Sequence, residues 1–131
     1  MASAETWLRQ AEADLKAAGD SLAAGNNEWA CYQAQQCAEK ALKAYLYLKG
    51  RTAILTHALR QLVQDCVHFD PDFHLVLNDA KYLENFNIPT RYPNGLDADL
   101  APAEYYDRED AEKCQSSAAS ILSAVKRSWS K

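Results

Sequence analysis

Trp29-Ala-Cys-Tyr-Gln-Ala-Gln-Gln-Cys-Ala-Glu39-Lys-Ala-Leu-Lys-Ala-Tyr-Leu-Tyr-Leu-Lys49 contains neither Gly nor Pro and is rich in small or straight-chain residues, so it reads as a helix. At about 100° per residue, Ala30, Ala34, Cys37, Ala38, Ala41, Leu42, Tyr45, Leu46 and Leu48 fill an apolar arc wider than a surface helix needs. A helix of that kind has to be covered on most sides, which makes it the centre of an all-α bundle. The narrow strip left over carries Trp29, Tyr32, Gln36, Lys40, Lys43 and Tyr47, where cations and amides interleave with aromatic rings.

The flanking sequence supplies the covering helices. A first helix is expected from Ser3, a plausible N-cap, to Ala24, with Trp7, Ala11, Leu15, Ala18 and Leu22 on one stripe. Asp14 lies on the flank of that stripe and calls for a Lys or Arg from a neighbouring helix, because a buried carboxylate is costly without a partner. The short break Gly25-Asn26-Asn27 makes the first two helices an antiparallel pair. Gly50 ends the second helix, and Thr56 is a fair N-cap for a third that carries Leu59, Leu62, Val63, Cys66 and Val67.

Asp70-Pro71 closes that helix and opens a fourth running to Asn85, with Phe73, Val76, Leu77, Ala80 and Leu83 inward. From Phe86 to Ala103 the prolines 89, 93 and 102 and Gly95 rule out a long regular element, while Ile88, Tyr92 and Leu96 anchor an ordered loop. A last helix from Asp107 to Trp129 repeats Ala111, Cys114, Ala118, Ile121, Leu122 and Val125. The expectation is a single domain over residues 1–131. Its fold is an all-α, up-and-down bundle of four long helices and one shorter one, with the long loop before the last helix.

Composition narrows the function classes. A formal charge of −4 argues against coating nucleic acid by bulk electrostatics, although an acidic domain can carry a local basic strip. No apolar run is long enough to span a bilayer, and the opening residues lack the basic-then-apolar order of a signal peptide, so a cytoplasmic location is expected. Cys31, Cys37, Cys66 and Cys114 stand singly inside helical patterns and read as reduced, buried small hydrophobes rather than metal ligands or disulfides. A phosphate-cradling Gly-rich loop and a nucleophile elbow are both missing, and no cofactor or metal is expected.

Three patterns in order, Gln36-Cys-Ala-Glu39-Lys40-Ala-Leu-Lys43-Ala, then His57-Ala-Leu, then Arg91-Tyr92-Pro93, resemble the HEPN family (higher eukaryote and prokaryote nucleotide binding). The opening Trp7, Ala11 and Asp14-Leu15 are similar to that family's first helix, and the resemblance covers nearly the whole chain. It implies a helical bundle that is commonly a homodimer, often working beside a nucleotidyltransferase. Members act as nucleotide-binding modules, toxin or antitoxin partners, or metal-independent ribonucleases. The ribonuclease branch carries an Arg followed, after four to six residues, by a His. Arg51, Thr52 and His57 match that spacing but straddle the loop after the second helix.

Each candidate residue also has a structural reading. His57, expected in the first turn of the third helix, could hydrogen-bond a ligand or act as a base, or merely bond the backbone near the helix start. Lys40 and Lys43, with Gln36 a turn earlier, could hold a phosphate while Tyr32 or Tyr47 covers a base. Alternatively, Glu39 and Lys43 form an ordinary i,i+4 pair and Asp14 takes one of the lysines. Arg91 suits a phosphate or carboxylate through its bidentate fork, with Tyr92 stacking, or it is tied to a helix carboxylate. The leading expectation is a dimeric module binding a nucleotide or RNA. An endoribonuclease using Arg51 and His57, or a helical interaction protein without catalysis, are the alternatives.

Overall fold

The computed structural model describes residues 2–96 and 99–131, so the part of the expected loop at 97–98 lies outside the described residues. Its helices are α1 (Ala4–Ala23), α2 (Asn27–Leu48), α3 (Leu59–Phe69), α4 (Leu77–Leu83), α5 (Pro102–Tyr105) and α6 (Arg108–Trp129). A 3-10 helix, Pro71–Val76, leads into α4, and two further 3-10 turns, Ile88–Thr90 and Pro93–Gly95, lie in the loop. No strand occurs among the described residues, and none of their helices is long and apolar enough to cross a membrane.

α2 is the hub: α1 packs along one side, α6 along another, and α3 and α4 close the remainder. The predicted arc is buried from Ala30 through Leu46, with Leu48 half-buried at the end. Ala11 and Ala18 of α1 and Ala30, Ala34, Ala38 and Ala41 of α2 are fully buried, and side chains this small let helix axes approach closely. Bulk is concentrated where α3, α4 and the 3-10 helix meet α2, around Tyr45, Phe73, Leu42, Leu46 and Leu62. The Tyr45 and Phe73 rings lie 4.7 Å apart. Truncating Leu42 to Ala there costs about 2–5 kcal/mol.

Local chemistry sets the helix ends. The Ser3 hydroxyl accepts the Thr6 N–H, as its N-cap reading requires. Gly25 and Gly50 have φ of 80° and 92°, the left-handed conformation that a non-Gly residue adopts only under strain. Around Gly50 the amides of Gly50 and Arg51 donate to the carbonyls of Tyr47 and Leu46, a Schellman closure that turns the chain off α2. Asp107 and Asp110 cap α6 reciprocally, each carboxylate accepting the other's N–H.

Two expected boundaries moved. The third helix begins at Leu59 with Ala58 as N-cap, while the Thr56 hydroxyl accepts the Ala58 N–H outside the helix. Residues 51–58 instead run irregularly along the bundle, because Ile54 is drawn into the core and His57 is bonded to α2. The fourth helix starts as the 3-10 turn at Pro71, and its α-helical part ends at Leu83 rather than Asn85. Asp70 does double duty at that junction, its carboxylate accepting the Asp72 N–H and the Ser128 hydroxyl from the far end of α6.

Candidate functional site

The polar strip of α2 divides into two sides. On the α1 side, Lys40 donates to Asp14 at 2.7 Å, the cross-helix partner that Asp14 was expected to find. Tyr47 lies beside Trp7 there, ring centroids 5.4 Å apart. Lys40 and Tyr47 therefore stitch the first two helices together. Gln36, between the two sides, donates to the buried Gln35 at 2.8 Å.

The other side holds the most buried charged cluster among the described residues. Glu39 is 7% exposed and Lys43 5%, and the Glu39 Oε2 accepts the Lys43 ammonium at 3.0 Å. The same oxygen lies 2.9 Å from Nδ1 of His57, while Lys43 Nζ is 3.2 Å from that nitrogen. A carboxylate can only accept and an ammonium can only donate, so Nδ1 bonds one of the two at a time: protonated it donates to Glu39, unprotonated it accepts from Lys43. In the tautomer that donates to Glu39, Nε2 is the acceptor, and the imidazole itself is largely exposed. Because His57 precedes the N-cap of α3, the helix dipole is not what orients it; Glu39 is.

Arg51, placed by the Schellman turn, reaches Asp65 of α3 at 3.9 Å and is not part of the Glu39 cluster. Arg91 takes up a different position on α2. Its guanidinium lies 4.4 Å from the Tyr32 ring centroid and 5.3 Å from that of Tyr92. Asn87 holds it from behind, the side-chain oxygen at 2.9 Å and the carbonyl at 3.4 Å. Among the described residues no carboxylate pairs with Arg91. Tyr32 and Glu39 are seven residues apart, two turns of one helix, so the two clusters share a face about 10 Å apart.

Of the residues singled out from sequence, Lys43 and His57 come together, and Arg91 and Tyr92 come together. Lys40 and Tyr47 face α1, and Arg51 turns to α3. Two side chains that orient the others went unassigned. In sequence Glu39 shows as the i,i+4 partner of Lys43 and as a member of the motif that starts at Gln36, and Asn87 stands four residues before Arg91. What joins Glu39 to His57 is tertiary.

Sequence comparison gives the class of this bundle: the chain belongs to the HEPN family. The HEPN domain family model matches residues 4–128. In sequence, the chain is 32% identical over 130 residues to the Methanocaldococcus jannaschii protein named "Putative toxin MJ1304", covering 94% of this chain and 86% of that protein. It is also 29% identical over 125 residues to human sacsin, spanning 91% of this chain but 3% of that much longer protein. Among solved structures, TT1696 from Thermus thermophilus superposes with a TM-score of 0.85 at 37% identity, covering 97% of this chain and 98% of that one. ST0689, described as an archaeal HEPN homologue, does so with 0.79 at 36% identity, covering 96% and 97%.

Proposed function

We propose that this HEPN chain binds a nucleotide or single-stranded RNA along the face of α2 that carries Tyr32, Glu39 and Lys43. The observation that carries the reading is Arg91: a guanidinium held between two tyrosine rings and against Asn87, with no carboxylate to neutralise it among the described residues. Such a group is preorganised for a phosphate, and the adjacent rings provide stacking surface for a base. The exposed imidazole of His57, about two turns further along and anchored by the buried Glu39–Lys43 pair, offers a second hydrogen-bonding point. The Gln36 amide lies between them. In this reading the module acts in the cytoplasm as a homodimer, working with a nucleotidyltransferase or a toxin–antitoxin partner. The name of the Methanocaldococcus jannaschii relative supports the toxin connection.

A specific observation also supports an endoribonuclease. With Nδ1–H directed to Glu39, the Nε2 of His57 can take the proton from a ribose 2′-hydroxyl as its oxygen attacks the adjacent phosphorus. The bond from phosphorus to the 5′-oxygen then breaks and the leaving oxygen is protonated, yielding a 2′,3′-cyclic phosphate and a 5′-hydroxyl. A cation near the phosphate would stabilise the developing charge; Arg51, the residue the spacing suggests for it, lies 3.9 Å from Asp65 and would have to leave that carboxylate to serve.

Calorimetric titration of the wild type with ATP, GTP and a short RNA oligonucleotide tests the binding reading, with Arg91→Ala as the paired variant. Binding that drops at least tenfold in the variant is expected. Absence of binding by all three ligands to a correctly folded protein would refute it. Incubation with a mixed RNA pool separates the second reading: His57→Ala should abolish cleavage, and cleavage equal to wild type would exclude His57 as the base.

A further inference from the structure

A concavity lies between the loop after α4 and the start of α6, and neither Glu39 nor His57 lines it. It encloses about 540 Å3, within the range of small-molecule sites, and its walls include Asn85, Phe86, Leu96, Tyr105, Tyr106 and Asp110. Phe86 and Tyr106 are buried, with ring centroids 5.7 Å apart, and form an aromatic floor. Tyr105, half-exposed, lies 5.0 Å from Tyr106 with its plane turned by 82°, so rings with different orientations border one space. On the opposite lip the loop closes on itself: a Cβ on Gly95 would fall 2.8 Å from the Pro89 Cα, so there is no room for a side chain.

Two acceptor oxygens of this cleft are free among the described residues. Asp110 uses Oδ2 to receive the Asp107 N–H, which leaves Oδ1 without a partner among the described residues. Asn85 gives one of its two amide N–H groups to the Tyr82 carbonyl, and its oxygen has no partner among the described residues. Among the described residues no Lys or Arg lines the cleft, and Lys113 stands instead over the Tyr82 ring at 4.2 Å. Asp107 as cap with Glu109 and Asp110 in the first turn of α6 outweigh Arg108, which is paired with Glu112 at 2.7 Å, together with the roughly half positive charge of a helix start. Burial pushes the Tyr106 hydroxyl up to about 12, so this ring keeps its proton.

Electron-rich ring faces combined with unpartnered acceptors and a net negative potential fit one ligand chemistry. We propose that the cleft binds a small organic cation through an ammonium or guanidinium group, set against Tyr105 and Tyr106 and donating to Asp110 and Asn85. This is opposite in charge to the Arg91 and Lys43 face and does not depend on it. The group is supplied either by a free polyamine-type molecule or by a basic side chain of a protein.

Heteronuclear NMR titration of the wild type with agmatine, spermidine, N-acetyl-arginine amide and the neutral analogue N-butylurea is the test. Saturable shifts at Phe86, Tyr105 and Tyr106 with the cations, and none with N-butylurea, are expected. Asp110→Asn should weaken binding at least fivefold while its amide oxygen can still cap α6, and Tyr105→Ala should do the same. A larger affinity for N-acetyl-arginine amide than for agmatine assigns the group to a protein side chain, and the reverse assigns it to a free cation. No saturable shift with any cation, an equal response to N-butylurea, or undiminished binding by both variants overturns the proposal. Arg91→Ala should leave cation binding within twofold of wild type, so failure at either site is read independently of the other.

Discussion

Glu39 and His57, one in the middle of α2 and the other in the irregular segment before α3, meet at 2.9 Å between Oε2 and Nδ1. The same carboxylate oxygen accepts the Lys43 ammonium, so one buried acid orients an imidazole and neutralises a cation. Removing it leaves a buried ammonium unpaired, which is more costly than the net worth of the pair. Glu39→Ala is expected to destabilise the fold by about 3 kcal/mol, with urea denaturation as the measurement. The double variant Glu39→Leu, Lys43→Met should recover most of that loss, because no lone charge remains. If the double variant is as unstable as the sum of the singles, the cluster is not the source.

Lys40 and Asp14 join α2 to α1 in a partly exposed setting, so their bond is worth much less. Lys40→Met should lower stability by about 0.5–1 kcal/mol. Its RNA affinity should stay within twofold of wild type, since the ammonium is engaged by Asp14. A tenfold loss of affinity would instead return Lys40 to the binding face.

Salt dependence isolates the phosphate contact assigned to Arg91. Arg91→Ala should reduce the slope of log affinity against log salt by about 0.7 for single-stranded RNA, the loss of one phosphate contact. Arg91→Lys should restore the slope but not the full affinity, because an ammonium does not reproduce the planar group between Tyr32 and Tyr92. Fluorescence anisotropy at several salt concentrations measures both.

Asp70 ties the end of α3 to the end of α6. The Ser128 hydroxyl, then the Asp72 N–H, hold its carboxyl below the usual carboxylate range against the opposing effect of burial. A depressed folded pKa contributes stability that is present above the unfolded value, about 3.9, and is lost as pH falls through the folded one. Asp70→Asn should therefore cost about 1–3 kcal/mol at neutral pH, and the difference from wild type should shrink in acid. Thermal unfolding from pH 7 down to pH 2 checks the convergence.

The thiols should be inert in the folded protein. Burial pushes Cys37 up to about 12 and raises Cys66 further, while Cys114 is raised most by its hydrogen bond with Cys31 and then by burial. At pH 8 an aromatic disulfide reagent should label almost no thiol in native buffer and all four cysteines in denaturant. Fast labelling of one thiol in the native state would reveal local opening of the helix that carries it.

Much of the architecture was legible in the residues. Helical periodicity is a local property, and the wide arc from Ala30 to Leu46 could only belong to a helix covered on several sides. Gly25 and Gly50 marked turns because their left-handed φ values suit glycine. Asp14 announced a cation partner because burying a lone carboxylate is costly, and Lys40 supplied it.

What the tertiary structure decided was which side of each helix the polar groups serve. Spacing alone put Lys40 and Lys43 on one strip, yet the packing of α1 takes Lys40 and leaves Lys43 with Glu39. Propensity placed Thr56 at a helix start, but the burial of Ile54 in the core and the bond from His57 to α2 outweigh a single cap. The Arg91 site and the aromatic cleft depend on how residues 86–106 fold across the bundle. A loop without periodicity carries no local signal of where its side chains will point, so its contacts come from the packed bundle it crosses.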